Sequence, residues 1–250
     1  MQRRRGAVQP EATDEPGARA RFLAKSRAVL TTPAFEVDLP HGRCVGFSIA
    51  RDAELAETER TLPAAERAVA ETLAGARRRS WVYGRIALRR AMHAIGVSVE
   101  AIGATPRGAP ALPAGVTGSI SHKDEIVVAL AALSGGEQVG IDVERDRPSR
   151  HDLRRLVLRP DEGVDLDAPW LAVASDTLLR FSAKEAIYKA LDRYVGRYVG
   201  FREVGVVPRS DQTAAAVLHL RDGEGPFDVD VRWQRRDGFF LTSARVAPVR

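Results

Sequence analysis

Between Gly118 and Val143 three short strand-like runs follow one another with almost no chain between them, and nothing else in the sequence constrains the fold as strongly. Gly118 to Ser121, Ile126 to Leu133 and Gln138 to Val143 are separated by Lys123-Asp124-Glu125 and by Ser134-Gly135-Gly136. Links of that length and composition are turns, so the runs are expected to form a meander. Strand-like runs return near Val204 to Val207, Ala214 to Leu220, Val229 to Gln234 and Phe239 to Val246. Helical patterns accompany both groups. One begins after Leu62-Pro63, is interrupted at Gly75, and continues from about Ala76 to Ile95 before Gly96 stops it. Others lie around Leu153 to Leu158 and Trp170 to Arg193. Helices and antiparallel strands in both halves predict an α+β fold and argue against a doubly wound parallel sheet.

On the helix ending at Ile95, Trp81, Leu88, Met92 and Ile95 form an apolar stripe, and Arg78, Arg85 and Arg89 form a basic one beside it. Thr105 to Gly115, with Pro106, Gly108, Pro110 and Pro113, reads as a loop. The segment from Met1 to about Arg27 has no steady apolar period and is expected to be a mobile tail outside the fold. Its basic start is followed by acids and prolines, which does not suit a secretory signal. No apolar run approaches the roughly 20 residues of a membrane span. Cys44 is the single cysteine, which excludes an intramolecular disulfide or thiolate cluster and suits a cytoplasmic setting. The net charge of +5 implies an affinity for anions without saying which.

Alternate residues of a strand share a face, so Asp142 and Glu144 are expected to project together while Ile141 and Val143 enter the core. Such a pair suits a hard cation, and Glu185 is the candidate third carboxylate. Read alone, the two acids fit a solvated strand end better than a site. Glu185 and Lys189, four apart on a helix, suit a metal-bound diphosphate, with Lys184 adding a second ammonium; read alone they are an ordinary surface ion pair. Ser121 and His122 could both donate to a phosphate, but neighbours on a strand point to opposite faces, which disfavours a nucleophile and base couple. Arg77 to Arg79 is either an anion site or a solvated cluster. No P-loop, GxGxxG or HExxH pattern occurs.

Taken in order, Arg77 to Arg79, Gly84-Arg85, Gly108 to Pro113, Gly118 to His122 (GSISH), Val139 to Glu144 (VGIDVE) and Phe181 to Lys189 (FSAKEAIYK) resemble the 4′-phosphopantetheinyl transferases. The likeness is strongest to the surfactin-type group and its enterobactin-synthase branch, and it runs over most of residues 36 to 250. It implies two similar subdomains related by pseudo-twofold symmetry, residues 34–136 and 137–250, with residues 1–33 outside. Coenzyme A and Mg²⁺ would bind between them, and the chain would act as a monomer.

The implied reaction transfers phosphopantetheine from coenzyme A to a serine of an apo acyl or peptidyl carrier protein. By motif position, Asp142, Glu144 and Glu185 would be metal ligands, with Glu185 also deprotonating the serine, directly or through water. Lys189 would assist the leaving group, and Arg78, Arg85, Ser121, His122, Lys184, Lys189 and Asp142 would bind coenzyme A. Many relatives carry a lysine or arginine where this chain has Ala109, so that phosphate contact is either missing or supplied by Arg107. The region from Arg145 to Trp170, with Leu156 and Leu158, would dock the carrier, and siderophore, nonribosomal peptide or polyketide synthesis is the implied setting. Neither nucleic acid nor membrane is an expected partner. The alternatives are a Mg²⁺-dependent nuclease and a basic nucleic-acid-binding module.

Overall fold

The computed structural model describes residues 32–49, 52–147, 153–163 and 171–249. The expected N-terminal tail lies almost wholly outside these residues, as does much of the expected docking region. Two antiparallel sheets organise the rest. The first has the order β1 (Phe35–Leu39), β2 (Gly42–Ser48), β6 (Ile126–Leu133), β5 (Val116–Lys123). The second has the order β7 (Gln138–Arg145), β11 (Phe239–Pro248), β10 (Phe227–Arg236), β9 (Thr213–Leu218), β8 (Val204–Pro208). A two-residue pairing of β3 (Gly103–Ala104) with β4 (Pro110–Ala111) breaks up the proline-rich loop.

Each sheet carries one long helix on one face. On β6, Val127, Ala129 and Ala131 pack toward α3 (Gly75–Ala94), where Val82, Ala87, Leu88 and Met92 complete the cluster. The alternate residues Ile126, Val128 and Leu130 meet Val139, Ile141 and Val143 of β7 and Phe239 and Leu241 of β11. β6 is therefore buried on both faces, which is why its sequence is continuously apolar where a half-solvated strand would alternate. On the second sheet, Ala183, Ala186, Ile187 and Ala190 of α5 (Val173–Val195) pack over Val204, Val206, Val231, Ala244 and Val246. Among the described residues no helix is long and apolar enough to cross a membrane.

The meander expectation holds for β5 and β6 and fails for β7. Both edges of β6 are already taken, by β5 and β2, so the chain turns away and β7 pairs with β11, placing Asp142 opposite Thr242. Gly75, at φ +53°, and Gly96, at φ +80°, bound α3 in the left-handed region that favours glycine. Among the described residues two short helices precede α3. α2 (Ala64–Glu71) begins after Pro63 as expected, but α1 (Asp52–Arg60) was not legible, because its polar sequence carries no wide apolar stripe.

Candidate active site

β5 and β7 are edge strands of different sheets, and side chains stitch them together. The Thr117 hydroxyl donates to Gln138 Oε1 at 3.1 Å and accepts from the Val139 amide at 3.0 Å. Further along, Ser121 Oγ donates to Asp142 Oδ1 at 2.7 Å. α5 closes over this seam because Gly140 admits it: a Cβ there would stand 1.9 Å from the Ala186 carbonyl oxygen. The odd residues of β7 enter the core between the sheets. Asp142 and Glu144 thus share the opposite face with Gly140, toward α5.

Lys189 reaches across the seam from α5. Its ammonium donates to Asp142 Oδ1 at 2.8 Å, to Ser121 Oγ at 3.0 Å and to the Ile141 carbonyl at 3.0 Å, which uses all three protons. Asp142 is 4% exposed, and its Oδ2 is buried without a hydrogen-bond partner. Leaving such an oxygen unsatisfied costs about 1–3 kcal/mol, so the position favours a cation. Glu144 pairs with Lys123 at 2.6 Å. Burial pushes the Glu144 carboxyl above the ordinary range; the bond from Lys123 opposes this, and the charge of Asp142 adds to it. Glu185 is half-buried, and its pKa is likewise raised, first by burial, with Lys189 opposing and Asp142 reinforcing.

Glu144 and Glu185 thus lie, beside Asp142, in a neighbourhood that disfavours their charge, the setting a divalent cation relieves. Among the described residues no three of them close on one point as a preformed cage. Lys189 and Lys123 occupy oxygens that a metal would use.

A cleft of about 360 Å³ opens beside Lys189 and is walled by α3, the β3–β4 loop, β5 and α5. His122, Lys189, Arg85 and Arg107 line it, as do Arg77 and Trp81. Arg85 is 4% exposed, lies over the Trp81 ring at 4.9 Å, and donates from Nη2 to the Gly103 carbonyl at 3.1 Å. Its Nε is buried and unpartnered, and burial lowers its pKa. Arg107 spans the cleft to Asp192 Oδ1 at 2.7 Å and to the Tyr188 hydroxyl at 3.1 Å. His122 is exposed at the surface, yet partial burial, with the charge of Lys189, holds its imidazole below the ordinary range.

Two residues expected at phosphates lie elsewhere. Arg78 is turned to Glu59 on α1, donating from Nε at 3.0 Å and from Nη2 at 2.9 Å, and it is Arg77 that faces the cleft. Lys184 is buried on the far side of α5. It donates to Glu162 Oε2 at 2.5 Å, to the Val157 carbonyl at 2.7 Å and to the Phe201 carbonyl at 3.1 Å. An ammonium with three protein acceptors and no solvent has nothing left for a phosphate. Sequence reasoning also missed Lys123, Tyr188 and Asp192. Tyr188 and Asp192 flank Lys189 on α5, and helical spacing could have placed Asp192 on its face.

A family model described as the 4′-phosphopantetheinyl transferase N-terminal domain matches residues 64–132, and one for the 4′-phosphopantetheinyl transferase superfamily matches residues 138–238. The 4′-phosphopantetheinyl transferase Npt of Nocardia iowensis is 32% identical over 216 residues, covering 81% of this chain and 96% of that protein. Svp of Streptomyces mobaraensis, another 4′-phosphopantetheinyl transferase, is 29% identical over 65% of this chain and 70% of its own length. Enterobactin synthase component D of Salmonella typhimurium is 35% identical over 64% of this chain and 68% of its own. With two matched domains in order and a relative aligned over nearly its whole length, the chain belongs to the 4′-phosphopantetheinyl transferase superfamily.

Proposed function

We propose that this chain moves the 4′-phosphopantetheine arm of coenzyme A onto a serine of an apo carrier protein, with Mg²⁺ held by Asp142, Glu144 and Glu185. Family membership supports the reaction. The unpartnered, buried Oδ2 of Asp142 is the observation that carries the metal assignment. An all-oxygen donor set beside a basic cleft of about 360 Å³ suits Mg²⁺ better than a softer ion. When bound, the cation would offset diphosphate charge and polarise the phosphorus–oxygen bonds.

The chain's own residues do the rest. Glu185, whose pKa is raised, accepts the proton of the carrier serine as its oxygen attacks the β-phosphorus. The bond from that phosphorus to the bridging oxygen breaks, and Lys189 stabilises the departing 3′,5′-ADP, taking up the phosphate in place of Asp142. His122 would meet the diphosphate from the β5 wall of the cleft, Ser121 would support it from the seam through Lys189 and Asp142, and Arg85 offers its free Nε–H to a phosphate of coenzyme A. Arg107 uses two of its five N–H donors on α5 and has others for the phosphate contact that Ala109 lacks.

One chain supplies both walls of the cleft, which fits a monomer. Leu156, on α4 (Arg154–Val157), is 59% exposed and fits the proposed docking of an acidic carrier to this basic protein. Incubation with coenzyme A, Mg²⁺ and a panel of apo carriers tests the reading by mass spectrometry. Each accepted carrier gains one phosphopantetheine, and Asp142→Ala and Glu185→Ala abolish the gain while folding normally. Nucleic-acid strand scission with every carrier left unmodified would establish the nuclease alternative instead.

A further inference from the structure

Behind the α3 wall of the cleft lies a buried carboxylate that the reaction above does not use. Glu66, on α2, is 2% exposed. Its Oε1 accepts the Ile102 amide at 2.6 Å and a short bond from Arg89 Nη2, while its Oε2 is buried without a partner. Arg89 in turn donates from Nη1 to the Val99 carbonyl at 2.6 Å. The segment from Val99 to Ile102 is thereby tied to α2 and α3 at both ends.

The residue after Ile102 is Gly103, whose carbonyl anchors Arg85 Nη2. Gly103 also opens β3, which pairs with β4, and the residues between them include Arg107, Gly108 and Ala109 of the cleft wall. Any shift of Ile102 therefore moves both the anchor of Arg85 and one side of the cleft. Charge points the same way. Arg85 and Arg89 are four apart on α3, and the Glu66 charge favours the cationic form of Arg85 while Arg89 opposes it. One carboxylate between two guanidiniums offsets part of their repulsion and leaves a net positive charge, with the Arg85 Nε–H still unsatisfied.

We propose that Glu66 is a positioning residue for coenzyme A: by holding Ile102 and Arg89 it fixes the Gly103 carbonyl and keeps the Arg85 guanidinium set for a phosphate. The proposal rests on the transferase reading and adds to it a residue that never touches the substrate. Steady-state transfer, together with calorimetric binding of coenzyme A, is measured for the wild type, Glu66→Gln, Arg85→Ala and the double variant.

Glu66→Gln is expected to raise KM and Kd for coenzyme A about tenfold with kcat within about twofold, and to add less than about twofold when Arg85 is already alanine. An unchanged KM and Kd in Glu66→Gln, or the same increase in both backgrounds, overturns the proposal. Should the single variant not fold, Glu66→Gln combined with Arg89→Met removes both charges of the buried pair. It is expected to show the same increase, and wild-type affinity in it overturns the proposal. A wild type that binds coenzyme A without transferring it removes the transferase reading and leaves the Glu66 test standing.

Discussion

Replacing Gly140 with alanine tests whether the close approach of α5 to β7 is what assembles the site. The added Cβ would stand 1.9 Å from the Ala186 carbonyl oxygen, 2.9 Å from its carbon and 3.0 Å from the Ala190 nitrogen. All three are backbone atoms, so no rotamer change relieves the clash, and reaching even a 3.0 Å contact requires a shift of about 1.1 Å. Overpacking of that kind costs about 1–3 kcal/mol, so a Tm fall of about 4–8 °C is expected for a loss of about 2 kcal/mol. The functional effect is larger. Lys189 lies three residues beyond Ala186, and its 2.8 Å bond to Asp142 does not survive a displacement of about 1 Å. A misplacement of that size costs about 10²-fold in rate. Urea unfolding and kcat at saturating coenzyme A are the measurements, with Gly163→Ala as control, since a Cβ there meets nothing within 4 Å. A Gly140→Ala protein with wild-type stability and kcat would refute the reasoning.

The two lysines of the FSAKEAIYK segment should separate cleanly on substitution. Lys184→Met removes the closest cation of buried Glu162, leaving it Arg180 at 3.9 Å, and takes a donor from two carbonyls, and is expected to cost about 3 kcal/mol, whereas Lys189→Met chiefly abolishes transfer; chemical unfolding and carrier modification, measured on both, check the contrast. Arg197 binds Glu203 and Glu224 and holds both carboxyls below their ordinary value of 4.5. Depressed folded pKa values give stability that is present above pH 4.5 and lost as pH falls through them. The stability gap between wild type and Arg197→Met should therefore narrow below pH 4.5 in urea unfolding at stepped pH. Cys44 is fully buried, with its thiol pushed up to about 12, so a thiol reagent should label it only as fast as the protein unfolds. Rapid labelling of the native protein would contradict that burial.

What could be read from the sequence was local. The period of two in VGIDVE is enough to put Asp142 and Glu144 on one face, and the apolar stripe on α3 marks its buried side, with Leu88 and Met92 in the core. Lys184 and Lys189 look alike in sequence. Only Glu162 and the carbonyls of Val157 and Phe201, brought from elsewhere in the chain, make one of them structural. Arg77 and Arg78 likewise differ only because Glu59, on a helix without an apolar stripe, takes Arg78. Pairing was illegible for the same reason: the short link after β6 suggests continuation in one sheet, yet both edges of β6 are filled by β2 and β5, which precede it in the chain.

The pairing of β7 with β11 also sets when the site can exist. Asp142 lies across from Thr242, one hundred residues further along the chain. Contacts that close so long a loop are disfavoured early in folding, while helices and the β5–β6 hairpin need only nearby residues. A chain caught midway through refolding would then have its α3 arginines in place on a helix and no ordered β7 to present Asp142. Coenzyme A capture and helix formation should separate in time, the first trailing the second, and a stopped-flow experiment following both would show the delay.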